Sequence, residues 1–359
     1  MVLTGGLSIN LLVGDSGTGK TRLLNTIFNF SRQLISEKVL FPGQWDIDFE
    51  MNNKTYNYQL DVVDDPNSPG QKIVNKEKLE NLSDGKTLVI RSGNKLEWKN
   101  ETLPKIGKDV SSIYLFREED DIAPIYYGFK RVIARRFSLD ALSSNFNFNF
   151  ISHDRANKII EKKNLQALLD DDINFHTRIS LLKIIDLKKY EIATGLFKEV
   201  FPFIESFEIA PLNKILDTMP VQVNAVSFMI KEKDIASYIP VNDISSGMQK
   251  IFLLILDIII LDEDGILLID EYENSLGINA INYLPELILS ITNKCQFIIT
   301  SHHPYIINSI PIESWFVFHR KGHKISIKSG AEFKEKYGKS KQQKFVQLIN
   351  DKFYLDGIE

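Results

Sequence analysis

At 359 residues, the chain can form one large domain or two modest ones. Its 43% hydrophobic and 25% charged content is that of an ordinary globular protein, and a net charge of −4 gives no global basic surface for a nucleic acid, so any such surface must be local. A single cysteine, Cys295, excludes an intrachain disulfide framework and suits a reducing, cytoplasmic compartment.

Met1 to Gly6 has no basic-then-apolar signal pattern and leads straight into an apolar strand ending at Val13. Gly14-Asp15-Ser16-Gly17-Thr18-Gly19-Lys20-Thr21 then fits G-x-x-x-x-G-K-[ST]. Leu23, Leu24, Ile27 and Phe28 follow at helical spacing. Strand, glycine loop and helix is the order that phosphates require. The glycines let the backbone curl against the oxygens, and the first helical amides face a polyanion. Lys20 is expected to reach the β- and γ-phosphates and Thr21 to hold Mg²⁺. A chance Gly-rich turn is the competing reading, and the strand and helix in register weigh against it. The loop alone says that a nucleoside triphosphate binds and no more.

From residue 39 to about 120 the pattern changes to an antiparallel β-meander. One hairpin is expected at 45–51 and 55–60 around Asn52-Asn53-Lys54, and a second at 87–91 and 95–98 around Ser92-Gly93-Asn94. Asp64 to Gly70 is a loop by composition. Residues 129–194 contain no Gly or Pro and are expected to be mostly helical, with a break at Asp170-Asp171-Asp172. Phe146 to Phe150 alternates like a strand edge. Gly195 and Pro202 are expected to close the helical region, and Val221–Met229 and Ile235–Val241 to be strands.

Ser245-Ser246-Gly247 opens a helix through about Leu261. Its apolar run from Ile251, interrupted by Asp257, is too short to cross a bilayer, so no membrane partner is expected. After a turn at 262–265, Ile266 to Ile269 is a fully apolar strand, the kind buried on both faces of a parallel sheet. It ends in Asp270-Glu271. Beside a P-loop, the first carboxylate organises the Mg²⁺ shell with Thr21, and the second orients a water for attack on the γ-phosphate. A helix is expected at 278–289, then a strand from Cys295 to Thr300 ending in His302-His303. His302 is preferred as the residue at the γ-phosphate, because ligands gather at the carboxyl ends of strands in open α/β sheets. Ser245, Ser246 and Gly247 form an anion-binding helix start or merely a capped one.

The order P-loop, long middle, Ser-Ser-Gly helix, Asp-Glu strand and His strand resembles the ABC-type ATPase heads of the SMC, RecF and OLD proteins. In that resemblance Ser245, Ser246 and Gly247 correspond to the signature, Asp270 and Glu271 to the Walker B pair, Asn274 to Gly277 to the D-loop, and His302 to the switch histidine. Asp270 to Leu276 and Thr300 to Tyr305 look most like the compact ATPases of bacterial antiphage systems such as Septu, PARIS, retron-associated and abortive-infection modules. The resemblance covers about 110 residues, 1–38 and 242–310. Departures are a Q-loop that has no assigned position, with Gln44 and Gln59 as the candidates, and Gly277 where many relatives carry His. Only 56 residues follow His303, too few for the nuclease domain of OLD proteins.

The resemblance implies an α/β fold: a P-loop ABC-ATPase head with an antiparallel β-meander subdomain and a short helical insertion. Its parts are expected at 1–128, 129–205 and 206–359. It implies ATP and Mg²⁺ as cofactors, and a second copy of the chain closing an ATP sandwich. The missing nuclease domain points to a separately encoded effector in a defence complex. A RecF-like repair clamp and a nucleotide-stabilised scaffold with little turnover are the alternatives. Arg117 to Asp121 reads as a solvated loop rather than a nuclease cluster, and Arg135-Arg136 as salt-bridged rather than phosphate-binding. The basic segment from Arg320 to Lys344 is either a DNA-contacting surface or a solvated C-terminal helix.

Overall fold

The apolar run Ile9–Gly14 forms β1, buried along its whole length, and α1 (Lys20–Ile35) follows the glycine loop. The computed structural model describes residues 9–37, 39–104, 106–136, 145–146, 151–170, 172–211, 226–261, 265–273, 281, 286, 295–334, 336–337 and 344–357. A meander of six strands comes next: β2 (Gly43–Met51), β3 (Lys54–Asp64), β4 (Lys72–Asn81), β5 (Lys86–Ser92), β6 (Lys95–Trp98) and β7 (Glu101–Thr102). After α2 (Ser112–Leu115), α3 (Ala123–Lys130) and β8 (Val132–Arg136) come the helices α4 (His153–Glu161), α5 (Phe175–Ile185) and α6 (Leu187–Val200). A small antiparallel sheet is made by β9 (Ile204–Pro211), β10 (Val226–Glu232) and β11 (Ile239–Pro240). The closing elements are α7 (Ser246–Ile260), β12 (Gly265–Asp270), β13 (Cys295–Thr300), α8 (Pro304–Ser309), β14 (Trp315–Lys321), β15 (Lys324–Ser329), α9 (Lys344–Ile349) and α10 (Lys352–Asp356).

The fold is mixed α/β, with parallel strands around the P-loop strand and a separate antiparallel sheet. The chain divides into two compact units, one of residues 1–20, 135–263 and 269–359, the other of 21–134 and 264–268. The P-loop sheet runs β15-β14-β1-β13-β12-β8. β1 lies between two parallel neighbours, with Leu11 opposite Ile299 of β13 and Trp315 of β14. In the first unit, Phe175, Phe197, Phe207, Phe228 and Phe252 form an aromatic core, with Phe197 stacked on Phe252 at 4.1 Å between ring centroids. Beside it Asp257 accepts from Arg135 Nε at 2.5 Å and from Arg178 Nη1 at 2.8 Å. All three are buried, and such charges are tolerated only because each is paired.

In the second unit β2 alternates half-buried and exposed along its whole length. Asn52 and Asn53, at φ 50° and 59°, turn it into β3, as a two-residue hairpin of type I′ requires. Phe30 and Leu34 of α1 join Tyr58, Leu60, Val74, Leu79, Ile113 and Ile125 in one core. Glu77 is buried there and satisfied by Tyr58, Ser112 and Arg91.

Several expectations are corrected. The span 129–194 is interrupted by the strand β8. A strand bearing Arg135 enters the interior because Asp257 neutralises the guanidinium. Gly195 does not end a helix: α6 runs through it to Val200, and Pro202 follows the end. Only Ile239–Pro240 of the 235–241 stretch pairs, because Asp234 (φ 64°) keeps the chain turning. Of the strand expected at 221–229, residues 226–229 are strand and 221–225 lie outside the described residues. The basic segment after Arg320 is mainly the β14–β15 hairpin and a 3₁₀ turn rather than a helix. Asn145 and Phe146 are helical, and residues 147–150 lie outside the described part, as do most of 278–289 and the turn at 262–264.

Candidate nucleotide site

β1 delivers the backbone to Gly14, where a Cβ would stand 2.5 Å from the Phe318 carbonyl oxygen, so the strand end fits against β14 only without a side chain. Gly19 holds φ 95°, a left-handed value that lets the loop curl back before the first helical turn. Asp15, Ser16 and Gly17 are exposed, whereas Thr18 is buried, its Oγ1 donating to the Asp15 carbonyl at 2.8 Å. Lys20 folds over the loop: its Nζ donates to Gly14 O at 2.7 Å and Asp15 O at 2.9 Å. Burial pulls its ammonium below the usual lysine range, opposed by the carboxylates of Asp15, Asp270, Glu273 and Glu271. Thr21 follows it in α1 and is exposed.

The acidic end of β12 is pinned to β13 by one side chain. Thr300 Oγ1 donates to Asp270 Oδ1 at 2.7 Å and accepts the Glu271 N–H at 2.7 Å. The Tyr272 N–H donates to the Thr300 carbonyl at 3.0 Å. Glu271 takes φ 50°, an uncommon conformation for a non-glycine residue, and its side chain is exposed. Glu273 accepts the His302 N–H on Oε1 at 2.6 Å, while its Oε2 is buried with no hydrogen-bond partner among the described residues. The arrangement of one ammonium, an open glycine loop, several carboxylates and an orphaned carboxylate oxygen fits a triphosphate with a divalent cation. Comparison with known families gives the matching result. Residues 9–308 match the family described as "AAA domain, putative AbiEii toxin, Type IV TA system".

The chain belongs to that family. It is thus a member of a P-loop ATPase family. No curated protein matches the sequence. Among solved structures the chain is similar, at 11% identity each, to three SMC heads. An SMC head bound to the C-winged helix domain of ScpA covers 91% of this chain and 92% of its own, with a TM-score of 0.49. The Smc head with an extended coiled coil bound to the C-terminal domain of ScpA, from Pyrococcus furiosus, covers 92% of each chain at 0.45. The Thermotoga maritima SMC head covers 89% of each at 0.39.

In this AAA-family chain the structure brings Lys20, Asp270 and Glu271 into one electrostatic neighbourhood. His302 stands exposed past the end of β13, while His303 caps α8, its Nδ1 accepting the Tyr305 N–H at 3.3 Å. Ser245 is the exposed N-cap of α7, its hydroxyl accepting the Met248 N–H at 3.3 Å. No hydrogen bond among the described residues joins Ser245, Ser246 or Gly247 to the P-loop. Asn274 to Gly277 lie outside the described residues. Arg135 is ion-paired to Asp257, and Cys295 is a buried strand residue. Asp121 pairs with Lys99, Arg117 with Glu118, and no group of three or more His, Cys, Asp or Glu among the described residues can hold a metal ion. No helix among them is long and apolar enough to cross a membrane.

Sequence reading missed four residues around the loop. Thr300 and Glu273 brace the acidic turn, and D-E-x-E was a signal for the second. Arg320 Nη1 donates to the Gly17 carbonyl at 3.0 Å, and the Tyr354 hydroxyl to Asp15 Oδ1 at 2.9 Å. Neither had a local signal. Within the basic segment Lys334 pairs with Glu313, and Lys328 lies over the Phe353 ring.

Proposed function

We propose that this chain is an ATP-binding and ATP-hydrolysing subunit of a bacterial antiphage defence complex, which dimerises around ATP and controls a separately encoded effector. The observation that carries the ATPase half is the convergence of Lys20 with Asp270, Glu271 and Glu273 beside the glycine loop. Gly14 to Thr21 cradle the phosphates, and Lys20 moves from the loop carbonyls to the β- and γ-phosphate oxygens. Thr21 and Asp270 would hold Mg²⁺, which would supply charge neutralisation at the phosphates. Glu271 orients the attacking water and takes its proton. His302 lies beside the γ-phosphate.

The family description, which names a toxin and a type IV TA system, supports the defence half. The helix start at Ser245, Ser246 and Gly247, with Ser245 exposed and the next two half-buried, supports a sandwich, in which a second copy's ATP meets this anion-binding end. A RecF-like role on DNA is the second reading, favoured by exposed Lys321, Lys324 and Lys336.

The test is nucleotide affinity measured together with phosphate release. Lys20→Ala weakens ATP binding. Glu271→Gln keeps binding and lowers turnover by about 100-fold or more, the usual contribution of a general base. Wild-type hydrolysis by Glu271→Gln would remove the base assignment.

A further inference from the structure

Lys250 is the fifth residue after Ser245, on the same helix α7, and it is fully buried. Its Nζ donates to the Tyr272 carbonyl at 2.6 Å and reaches the Glu271 carbonyl at 3.4 Å. Burial pulls its pKa down to about 7, and the negative charges of Glu273 and Glu271 oppose that shift. A lysine in a helix body that is otherwise apolar from Ile251 to Leu256 is costly unless its charge is met by such acceptors.

The carbonyls it holds belong to the turn in which Glu271 sits at φ 50°. A non-glycine residue in that region persists only where its surroundings impose it. On the amide side the surroundings are Thr300, which accepts from Glu271 N–H and Tyr272 N–H through its hydroxyl and carbonyl. On the carbonyl side they are Lys250. The Glu271 backbone is therefore held between β13 and α7, and its carboxylate direction follows from both.

Lys250 lies near the N-terminal end of α7, which Ser245 caps. Ser245 is exposed, and the helix approach is tied down by Gln249, whose Nε2 donates to the Val241 and Asn242 carbonyls at 2.9 Å each. The helix rises about 7.5 Å over those five residues. A shift of its exposed end thus moves the Lys250 ammonium and the carbonyls bound to it.

We propose that Lys250 is a positioning residue that couples the exposed Ser245 end of α7 to the Glu271 turn, so that engagement of one ATP by Ser245 aligns the carboxylate serving another. This rests on the roles proposed above for Ser245 and Glu271. A second copy's nucleotide at Ser245 is then sensed by this chain's own acidic turn, through one buried ammonium. The two ATP sites of a dimer are linked reciprocally.

The experiment is hydrogen–deuterium exchange of the 270–273 segment in Glu271→Gln protein, with and without ATP, beside turnover and ATP affinity in the wild-type background. ATP is expected to slow exchange in that segment. Lys250→Met is expected to abolish the slowing, as is Ser245→Arg. In the wild-type background Lys250→Met lowers kcat about 100-fold, the scale of a misplaced catalytic group, and leaves ATP affinity unchanged. Lys250→Gln keeps a donor without the charge, and serves if the methionine variant does not fold; it is expected to reduce both readouts partway. Unchanged kcat and unchanged ATP-dependent slowing in Lys250→Met or Lys250→Gln overturn the proposal. If Glu271→Gln itself hydrolyses ATP at the wild-type rate, the base assignment is what fails. The exchange result, which needs no turnover, then decides the Lys250 proposal alone.

Discussion

The His176 ring is 1% exposed, with Nδ1 accepting the Phe228 N–H at 3.0 Å and Nε2 3.2 Å from the Phe146 carbonyl. Those partners demand a neutral ring protonated on Nε2. Burial pulls its pKa down to about 4, only partly offset by Asn242 and the Phe146 carbonyl. The folded value lies below the unfolded one of about 6.5. Between the two, the unfolded chain binds a proton that the native chain does not, so stability rises with pH across that window. The contribution is complete above about pH 6.5 and is lost as pH falls toward 4. Between pH 7.5 and 4.5 the loss is about 2.5 kcal/mol. His176→Gln lacks this term, so the stability gap between wild type and variant in chemical unfolding is expected to narrow by that amount on acidification. A constant gap would mean that His176 is not held neutral. The same logic of burial separates Lys20 and Lys250 from the surface lysines: each is kept in the interior by carbonyls, and both face the acidic turn.

At the scale of elements, the sequence made β1, the first hairpin, α7, β12 and β13 legible, because each has an unbroken period or a sharp terminal signal. β4 was not legible. Asn75 is an extra residue opposite the Asp61–Val62 step of β3, and this bulge breaks the alternation between buried Val74 and buried Glu77. β8 was hidden because two arginines in a row argue against a buried strand, and the partner that permits Arg135 lies 122 residues away at Asp257. The candidate site divides in the same way. Gly14 to Thr21 and Asp270-Glu271 are local patterns, whereas Thr300, Glu273, Lys250, Arg320 and Tyr354 reach the site through the fold and have no strong signature of their own. Gly195 misled in the opposite sense, since glycine usually marks an end. It lies on the exposed face of α6, and a Cβ there would meet nothing within 4 Å. Gly195→Ala is therefore expected to raise stability by about 1 kcal/mol through helix propensity and the unfolded chain's lost freedom. A denaturation midpoint that does not rise would show that the glycine meets another requirement.

For the whole molecule, the decisive question is what meets the exposed start of α7. Among the described residues its serine hydroxyl bonds within its own helix, and the amides of such a helix end favour an anion. The P-loop is a second candidate anion-binding element, and no hydrogen bond among the described residues joins the two. The proposed two-fold arrangement of copies would satisfy both: each P-loop would hold an ATP that the other copy's Ser245 end covers, and the interface would close on itself. Association would then depend on nucleotide, because ATP held on one chain's P-loop makes contacts with the other copy that exist only in the paired state. In light scattering, Glu271→Gln with ATP and Mg²⁺ is expected to run at about twice the 41.2 kDa of the chain, and without ATP as a monomer. Lys20→Ala should stay monomeric because it holds ATP poorly, and Ser245→Arg because its bulk and charge occupy the covering surface. The two fail for different reasons, so ATP affinity is retained in Ser245→Arg and reduced in Lys20→Ala. A mass that ignores ATP in the Glu271→Gln protein would remove the sandwich for the isolated chain. A mass that doubles equally in Ser245→Arg would keep the dimer but move its interface away from α7, and with it the route by which Lys250 links the two sites.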